Sequence, residues 1–452
     1  MSTAPRQLNL NLFIYPNGHH EAAWRHPLAA HQRVLDVSFY QELAQQAEAA
    51  KFDAVFFADG LGIGDGVRYA SRFHLEPITL INALAAATQK IGFIATASTT
   101  FYDPYTLARL LAFTDHLSHG RVGWNIVTSS LKRAAQNYGL AEHPSHAARY
   151  ARAHEFVEAI GRLWDSWEDG AFINDPASGL FADTDRIHPA QFSGEHLSVA
   201  GALNVPRSPQ GRPVYVQAGS SEAGRDFAAQ YAEAIFTAHQ TLESAQAFYR
   251  DVKERATQRG RNPAHVKILP GLSPFIGSTE AEAKALQREF DELIQPDFSL
   301  LQLKNQLGLD VDLRGHDLDA PFPLHLIPDN PDQAEHSRFQ LVLDIVKREQ
   351  PTLRQLLQKL AGARGHFVLA GTPEQIADHI QTWFEQGAAD GINVMPPWLP
   401  GGFEVFTREV VPILRQRGLF REEYSGSTLR DHFGLPRPES QFAPALAQAQ
   451  AA

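Results

Sequence analysis

The segment Gly219-Ser220-Ser221, directly after the apolar run 213–217, carries residue types suited to an anion. Glycine lets the backbone approach a ligand closely, and serines at a helix start sit among free N–H groups and the positive end of the dipole. A phosphate fits there; an ordinary serine N-cap accounts for the same residues without a ligand. Asp59 follows the wholly apolar run 54–58, so its carboxylate emerges where a strand ends. It suits a ligand N–H or hydroxyl, or equally a turn cap. Asn125 lies between Trp124 and Ile126 in an apolar strand. A buried amide must be hydrogen-bonded, either to a core neighbour or to the polar edge of a ligand. Thr96, Ser98, Thr99 and Thr100, and Thr128-Ser129-Ser130, close two further runs. Asn17, His19, His20 and Glu21 follow the first, and His239 the sixth.

Other chemistries are excluded. The chain has no cysteine, so disulfides, thiolate catalysis and cysteine-ligated metals are ruled out. It has 20 histidines, but Gly18-His19-His20-Glu21 lacks the His-x-His spacing of zinc barrels and no HExxH occurs, so no metal is expected. There is no nucleophile elbow and no phosphate-loop lysine. Residues 60–64, GLGIG, depart from GxGxxG and read as a loop. A formal net charge of −11 repels polyphosphate, so nucleic acid is not an expected partner. The N-terminal segment is broken by polar residues and lacks a signal h-region. No run reaches the roughly 20 apolar residues of a membrane span. A cytoplasmic location and no membrane partner are expected.

These residues need a scaffold that gathers strand ends. The chain alternates short apolar strands with amphipathic helices. Strands are expected over 8–14, 54–58, 91–95, 121–127, 213–217, 234–237, 266–269 and 392–395, with helices at 38–50, 78–88, 105–117, 221–230 and 241–259. Runs apolar on both faces indicate parallel strands covered on both sides. Eight such units point to closure, an α/β (β/α)8 TIM barrel, whose reactive groups sit at strand C-termini. The expected organisation is one barrel domain over residues 1–436, with insertions at about 169–209 and 278–364 and a C-terminal tail, 437–452, that is poorly ordered or embraces a partner. Thr372, Pro373 and Gln375 mark a helix start with a capping box.

Several segments, in order, carry a resemblance over roughly residues 8–430. They are Gly18 to Arg25, Ala54 to Asp59, Ala95 to Thr100 with Tyr102 to Arg109, and Gly120-Arg121-Val122-Gly123-Trp124-Asn125-Ile126-Val127-Thr128-Ser129. Then come His146-Ala147-Ala148-Arg149-Tyr150, Leu163-Trp164-Asp165-Ser166-Trp167, Gln217 to Ser221, and Gly371 to Ala377. The chain resembles the nitrilotriacetate monooxygenase component A branch of the bacterial-luciferase-like flavin monooxygenases.

The resemblance implies a two-component enzyme that takes FMNH2 from a separate NAD(P)H:flavin reductase and oxidises a small organic substrate with O2 through a flavin hydroperoxide. It implies FMN contacts at Asp59, Thr96, His146, Tyr150 and Ser221, with Asn125 and Ser220 added, and the phosphate near His146, Tyr150 and the Ser220-Ser221 helix start. Flavin carries the oxygen chemistry, and the protein must exclude water. His20 is the candidate facing the reactive edge, as acid or peroxide donor, or else it only fixes its loop. His316, in the second insertion, is a further catalytic candidate. The family implies a homodimer or homotetramer. A deazaflavin-dependent oxidoreductase of the same superfamily is the nearest alternative, although Trp124-Asn125 and the His146–Tyr150 pattern fit the FMN branch better. A metal-dependent TIM-barrel hydrolase is the alternative from another class.

Overall fold

The structure is a computed structural model that describes residues 6–71, 75–328 and 336–442. Eight parallel strands form a closed cylinder: β1 (Asn9–Ile14), β2 (Ala54–Phe57), β3 (Gly92–Ser98), β4 (Val122–Val127), β5 (Val214–Gln217), β6 (Ala234–Thr237), β7 (Lys267–Ile276) and β8 (Gly391–Val394). Each pairs with its sequence neighbour, and β8 closes on β1 with Asn9 opposite Gly391 and Asn11 opposite Asn393. The fold is therefore the expected (β/α)8 TIM barrel. Its main helices are α1 (Val37–Ala49), α2 (Pro77–Ala85), α3 (Pro104–Leu117), α4 (His146–Trp164), α5 (Glu222–Tyr231) and α6 (Leu242–Gln258). Each is opened by an oxygen-bearing side chain that accepts a first-turn N–H: Asp36, Glu76, Asp103, Ser145, Ser221 and Thr241. Such caps satisfy donors that the helix cannot.

The strands are apolar throughout because both faces are covered. Leu10, Leu12, Ile14, Val55, Phe57, Phe93 and Trp124 face the helices and join the largest core cluster. Phe13, Ala54, Phe56, Ile94, Val214, Val216, Ala234, Phe236, Leu269 and Met395 fill the cylinder. The short helix Leu429–Phe433 plugs the base, where Leu429, Phe433 and Leu435 complete that inner cluster. A Cβ added at Gly92 would strike Leu429 at 2.5 Å, and one at Gly123 would crowd it at 3.2 Å, so the plug packs closely on both glycines.

Two elements differ from the sequence expectation. The seventh strand does not stop at 269; it runs to Ile276 through Pro270 and Pro274. Prolines inside a run argue against a central strand, which is why its end was misplaced. A ninth parallel strand, Phe367–Gly371, was not foreseen. It pairs with residues 272–276 and lies outside the closed ring. The helix Pro373–Glu385 that follows has the expected Thr372–Gln375 capping box.

Residues 169–209 hold two small antiparallel hairpins. Residues 278–364 hold α7 (Glu280–Glu292), α8 (Pro296–Leu307), α9 (His336–Glu349) and α10 (Leu353–Ala363), with their own apolar cluster. Part of the expected tail lies against the first excursion. Arg437 pairs with Asp169, Arg207 donates to Pro438 O, and Phe442 stacks on His188 at 3.9 Å. Residues 443–452 lie outside the described residues. Among the described residues, no helix is long and apolar enough to cross a membrane.

Candidate active site

The strand C-termini converge on one mouth. Across β2, β3 and β4 a short relay is built. Thr96 Oγ1 donates to Phe57 O at 2.8 Å, and Asn125 Nδ2 donates to Thr96 Oγ1 at 2.8 Å. Thr96 and Asn125 face each other in register. Asn125 Oδ1 is buried with no partner among the described residues, which costs about 1–3 kcal/mol unless a ligand satisfies it. The neighbouring Trp124 points the other way. Its ring packs at about 6 Å from Phe156, Trp164 and Tyr215, and its Nε1 donates to Ala97 O. Alternation along one strand thus sends Asn125 into the mouth and uses Trp124 to grip α4, the helix that carries His146 and Tyr150.

Asp59, two residues past β2, accepts from its neighbour Gly60 N at 2.8 Å. Burial, opposed by that hydrogen bond and helped by the nearby Glu76 charge, pushes its carboxyl up to about 6. Among the described residues, no ion pair holds it.

The first turn of α4 meets the start of α5. The Tyr150 hydroxyl lies close to the Ser221 and Thr128 side chains, and burial raises its pKa. His146, the first residue of α4, lies with its ring 4.8 Å from that of Tyr150. Ser221 Oγ accepts from Gly224 N at 3.1 Å as the N-cap of α5. A Cβ at Gly219 would stand 2.9 Å from the Tyr150 hydroxyl and 2.4 Å from Gln217 Nε2, and one at Gly224 would stand 3.0 Å from the same hydroxyl. Only glycine permits this approach. Ser220 is half-buried between Gly219 and Ser221. The structure thus brings Tyr150 to Ser221, with His146 beside Tyr150. It joins Thr96 to Asn125 and sets Asp59 just beyond the neighbouring strand.

The histidines behave differently. His20 is buried, with Nδ1 accepting from Ala22 N and Nε2 lying 3.1 Å from Asp291 Oδ1 of α7. Its ring sits edge-on to Phe275 and Phe290. Both nitrogens are engaged, so His20 ties the loop after β1 to the second insertion. His316 is exposed on that insertion, and its backbone N–H donates to Leu313 O within it.

Residues outside the expected flavin contacts complete the rim. His19 is buried, with Nε2 at 2.9 Å from Phe13 O and Nδ1 at 3.2 Å from an Arg364 nitrogen. Burial, then the Arg364 charge, hold its pKa well below the ordinary range, so the ring is neutral. Phe13, Tyr15, Phe56, Phe236 and His366 form an aromatic floor, His366 stacked on Phe236 at 4.7 Å. Arg364 lies in a segment read only as insertion, so nothing local marked it.

A flavin mononucleotide suits these residues. The orphaned Asn125 carbonyl is available to a ring N–H, and the glycine cradle at the start of α5 leaves room for a phosphate beside Tyr150 and Ser221.

A parallel eight-stranded barrel whose polar side chains gather at its C-terminal rim is the TIM-barrel architecture. Residues 19–390 match the family model described as luciferase-like monooxygenase, and the chain belongs to that family. It is 47% identical over 443 residues to N-acetyl-S-(2-succino)cysteine monooxygenase of Bacillus subtilis (strain 168), covering 98% of this chain and all of that one. It is 44% identical to nitrilotriacetate monooxygenase component A of Aminobacter aminovorans, covering 97% and 99%. The solved structure of EDTA monooxygenase from Chelativorans sp. BNC1 superposes with a TM-score of 0.78 at 34% identity, covering 96% of this chain and 99% of that one. The chain is a luciferase-like monooxygenase.

Proposed function

We propose that this monooxygenase is the oxygenase of a two-component system, receiving FMNH2 from a separate NAD(P)H:flavin reductase and using O2 to oxidise a small organic molecule. The observation that carries the reading is the cradle at the start of α5. Tyr150, Ser221 and two glycines that tolerate no Cβ surround a helix N-terminus. His146, Tyr150, Ser220 and Ser221 would hold the phosphate. Asp59, Thr96 and Asn125 would meet the ring system, whose amide-like edge complements the unpartnered Asn125 oxygen. When bound, reduced flavin supplies the activation of O2.

The chain's own residues do three things. The α5 start and Tyr150 bind and orient the cofactor's anionic end. The aromatic floor keeps the mouth dry, which favours oxygen transfer over release of H2O2. His20, locked between Ala22 and Asp291, holds the loop after β1 against α7, so its role here is positioning. The name "component A" of the Aminobacter relative and the acids named in both relatives support a separate reductase and a polar substrate.

The test is a coupled assay with a flavin reductase, NADH and a substrate panel. The expected result is NADH- and O2-dependent product together with reduced H2O2. Flavin reduction that yields only H2O2 with every member of a panel including N-acetyl-S-(2-succino)cysteine and nitrilotriacetate would count against it.

A further inference from the structure

A second opening lies beside the proposed flavin site, on the β1 side of the mouth. It is lined by Tyr15, Asn17, His19, Glu21, Ser71 and Arg364 among others, and its free volume of about 30 Å³ is room for one small group such as a carboxylate, not for a whole substrate. We propose that Arg364 is the specificity-determining residue of this cleft and fixes a carboxylate of a small organic-acid substrate. The assignment rests on the flavin reading above for its catalytic meaning, but binding by the cleft can be measured independently.

Three observations carry it. First, the Arg364 guanidinium lies flat on Tyr15, with Cζ 3.7 Å from the ring centroid, and a guanidinium N–H reaches His19 Nδ1. Stacking fixes the plane of the fork, and a guanidinium has five donors, so a carboxylate in that plane is accepted side-on. Second, the groups around it are donors. Asn17 is 4% exposed, and neither its Nδ2 nor the buried Ser71 hydroxyl has a partner among the described residues. The backbone donors nearby are already spent: Gly18 N, His19 N and His20 N go to Tyr15 O, Pro396 O and Pro397 O. Unspent side-chain donors beside a cation call for an acceptor-rich anion, because an unmatched buried donor is costly. Third, Arg364 is the left-handed cap of α10, with φ at 53°. Glycine is the residue of lowest strain at that position. Arginine there is held by its stacking and hydrogen bonds, and strain of this kind gathers at ligand sites.

One acid, Glu21, also lines the cleft. Ser299 Oγ donates to its carboxylate, and it stands where the cleft meets a neighbouring one beneath α8 and α10. It would repel a carboxylate placed on its own side. The site therefore admits one carboxylate at Arg364 with the remainder of the molecule directed towards the aromatic floor.

The experiment is calorimetric titration of the full chain, with and without saturating FMN. The ligands are succinate, nitrilotriacetate and N-acetyl-S-(2-succino)cysteine, each paired with its methyl esters. At least one acid is expected to bind ten or more times more tightly than its ester. R364Q should abolish that preference, while R364K, which keeps the charge but not the fork, should retain part of it. In turnover, R364Q should raise KM for the acid with little change in kcat, and leave FMN binding unaltered. Equal affinity for acid and ester in the native chain, or no acid bound at all, would overturn the assignment without needing any variant. Acid binding that persists while FMN fails to bind would instead overturn the flavin reading and leave the cleft assignment standing.

Discussion

At the base of the barrel, Asp53, Glu233 and Asp390 each stand one residue ahead of a strand. Each accepts a backbone N–H from the neighbouring strand: Leu10 N, Tyr215 N and Ile268 N. Each is also held by a cation. Arg421 reaches Asp53 at 2.6 Å, Arg430 reaches Glu233 at 2.7 Å, and Lys253 reaches Asp390 at 2.8 Å. Burial pushes the Glu233 carboxyl up, but Arg212 and Arg430 outweigh it and hold it at about 2. At the mouth, among the described residues, no cation pairs with Asp59, and Asn125 Oδ1, Thr237 Oγ1 and Ser273 Oγ are buried without partners. Asp115 Oδ2, Gln210 Oε1 and His432 Nδ1 at the base also lack partners among the described residues, so the contrast lies in the acids at the strand ends: Asp53, Glu233 and Asp390 are paired with cations, whereas Asp59 at the mouth is not. Paired buried charges fix a structure, whereas unpaired polar groups are destabilising until a ligand arrives. The difference separates the end that holds the barrel together from the end that binds.

Changes at the two ends should separate into stability and affinity. The largest expected effect is at the base. Glu233→Gln leaves Arg430 and Arg212 without a carboxylate, and should cost about 3 kcal/mol or more of stability, read as a lower denaturant midpoint, with FMN affinity of the folded fraction unchanged. Next is Ser221→Asp. Aspartate still caps α5, so the denaturation midpoint should hold, but a negative charge beside the phosphate should weaken FMNH2 binding by roughly tenfold or more, measured by anaerobic titration. Equal loss of stability and affinity in either variant would erase the contrast. A smaller effect is expected from His20→Ala. Freeing the loop from Asp291 should raise H2O2 released per NADH on the order of twofold, with flavin affinity nearly intact. Unchanged coupling would make His20 purely structural.

The smallest concerns Asp59. Its folded pKa of about 6 exceeds that of an unfolded aspartate, so the folded state holds the proton more tightly. The stability this provides is fully present below about pH 3.9 and is lost as pH rises through 6. Asp59→Asn mimics the protonated form. It should melt above the native chain at pH 7, with the gap closing as pH falls towards 4. A gap that is constant with pH would contradict the assignment.

The barrel was legible because strand and helix periods differ and both strand faces are apolar. Asp59, Thr96 and Asn125 were legible as polar residues where apolar runs end. The partnership of Tyr150 with Ser221 was not. It joins residues 71 positions apart, and only the resemblance suggested it. The base was also missed, although Asp53-Ala54, Glu233-Ala234 and Asp390-Gly391 repeat one pattern: an acid, a small residue, then an apolar run. Arg364 gave no local signal, because its role arises from Tyr15 and His19, which lie some 350 residues earlier. Residues 270–276 were lost to the usual reading of proline as a strand breaker, yet β7 carries both of its prolines within a paired strand.

The most direct measurement is a crystal structure of the chain grown with FMN. The account predicts the phosphate within hydrogen-bonding reach of the Tyr150 hydroxyl and Ser221 Oγ, and the ring system beside Asn125 Oδ1 on the aromatic floor. Flavin density at any other place, or a rim left vacant at saturating FMN, would contradict it.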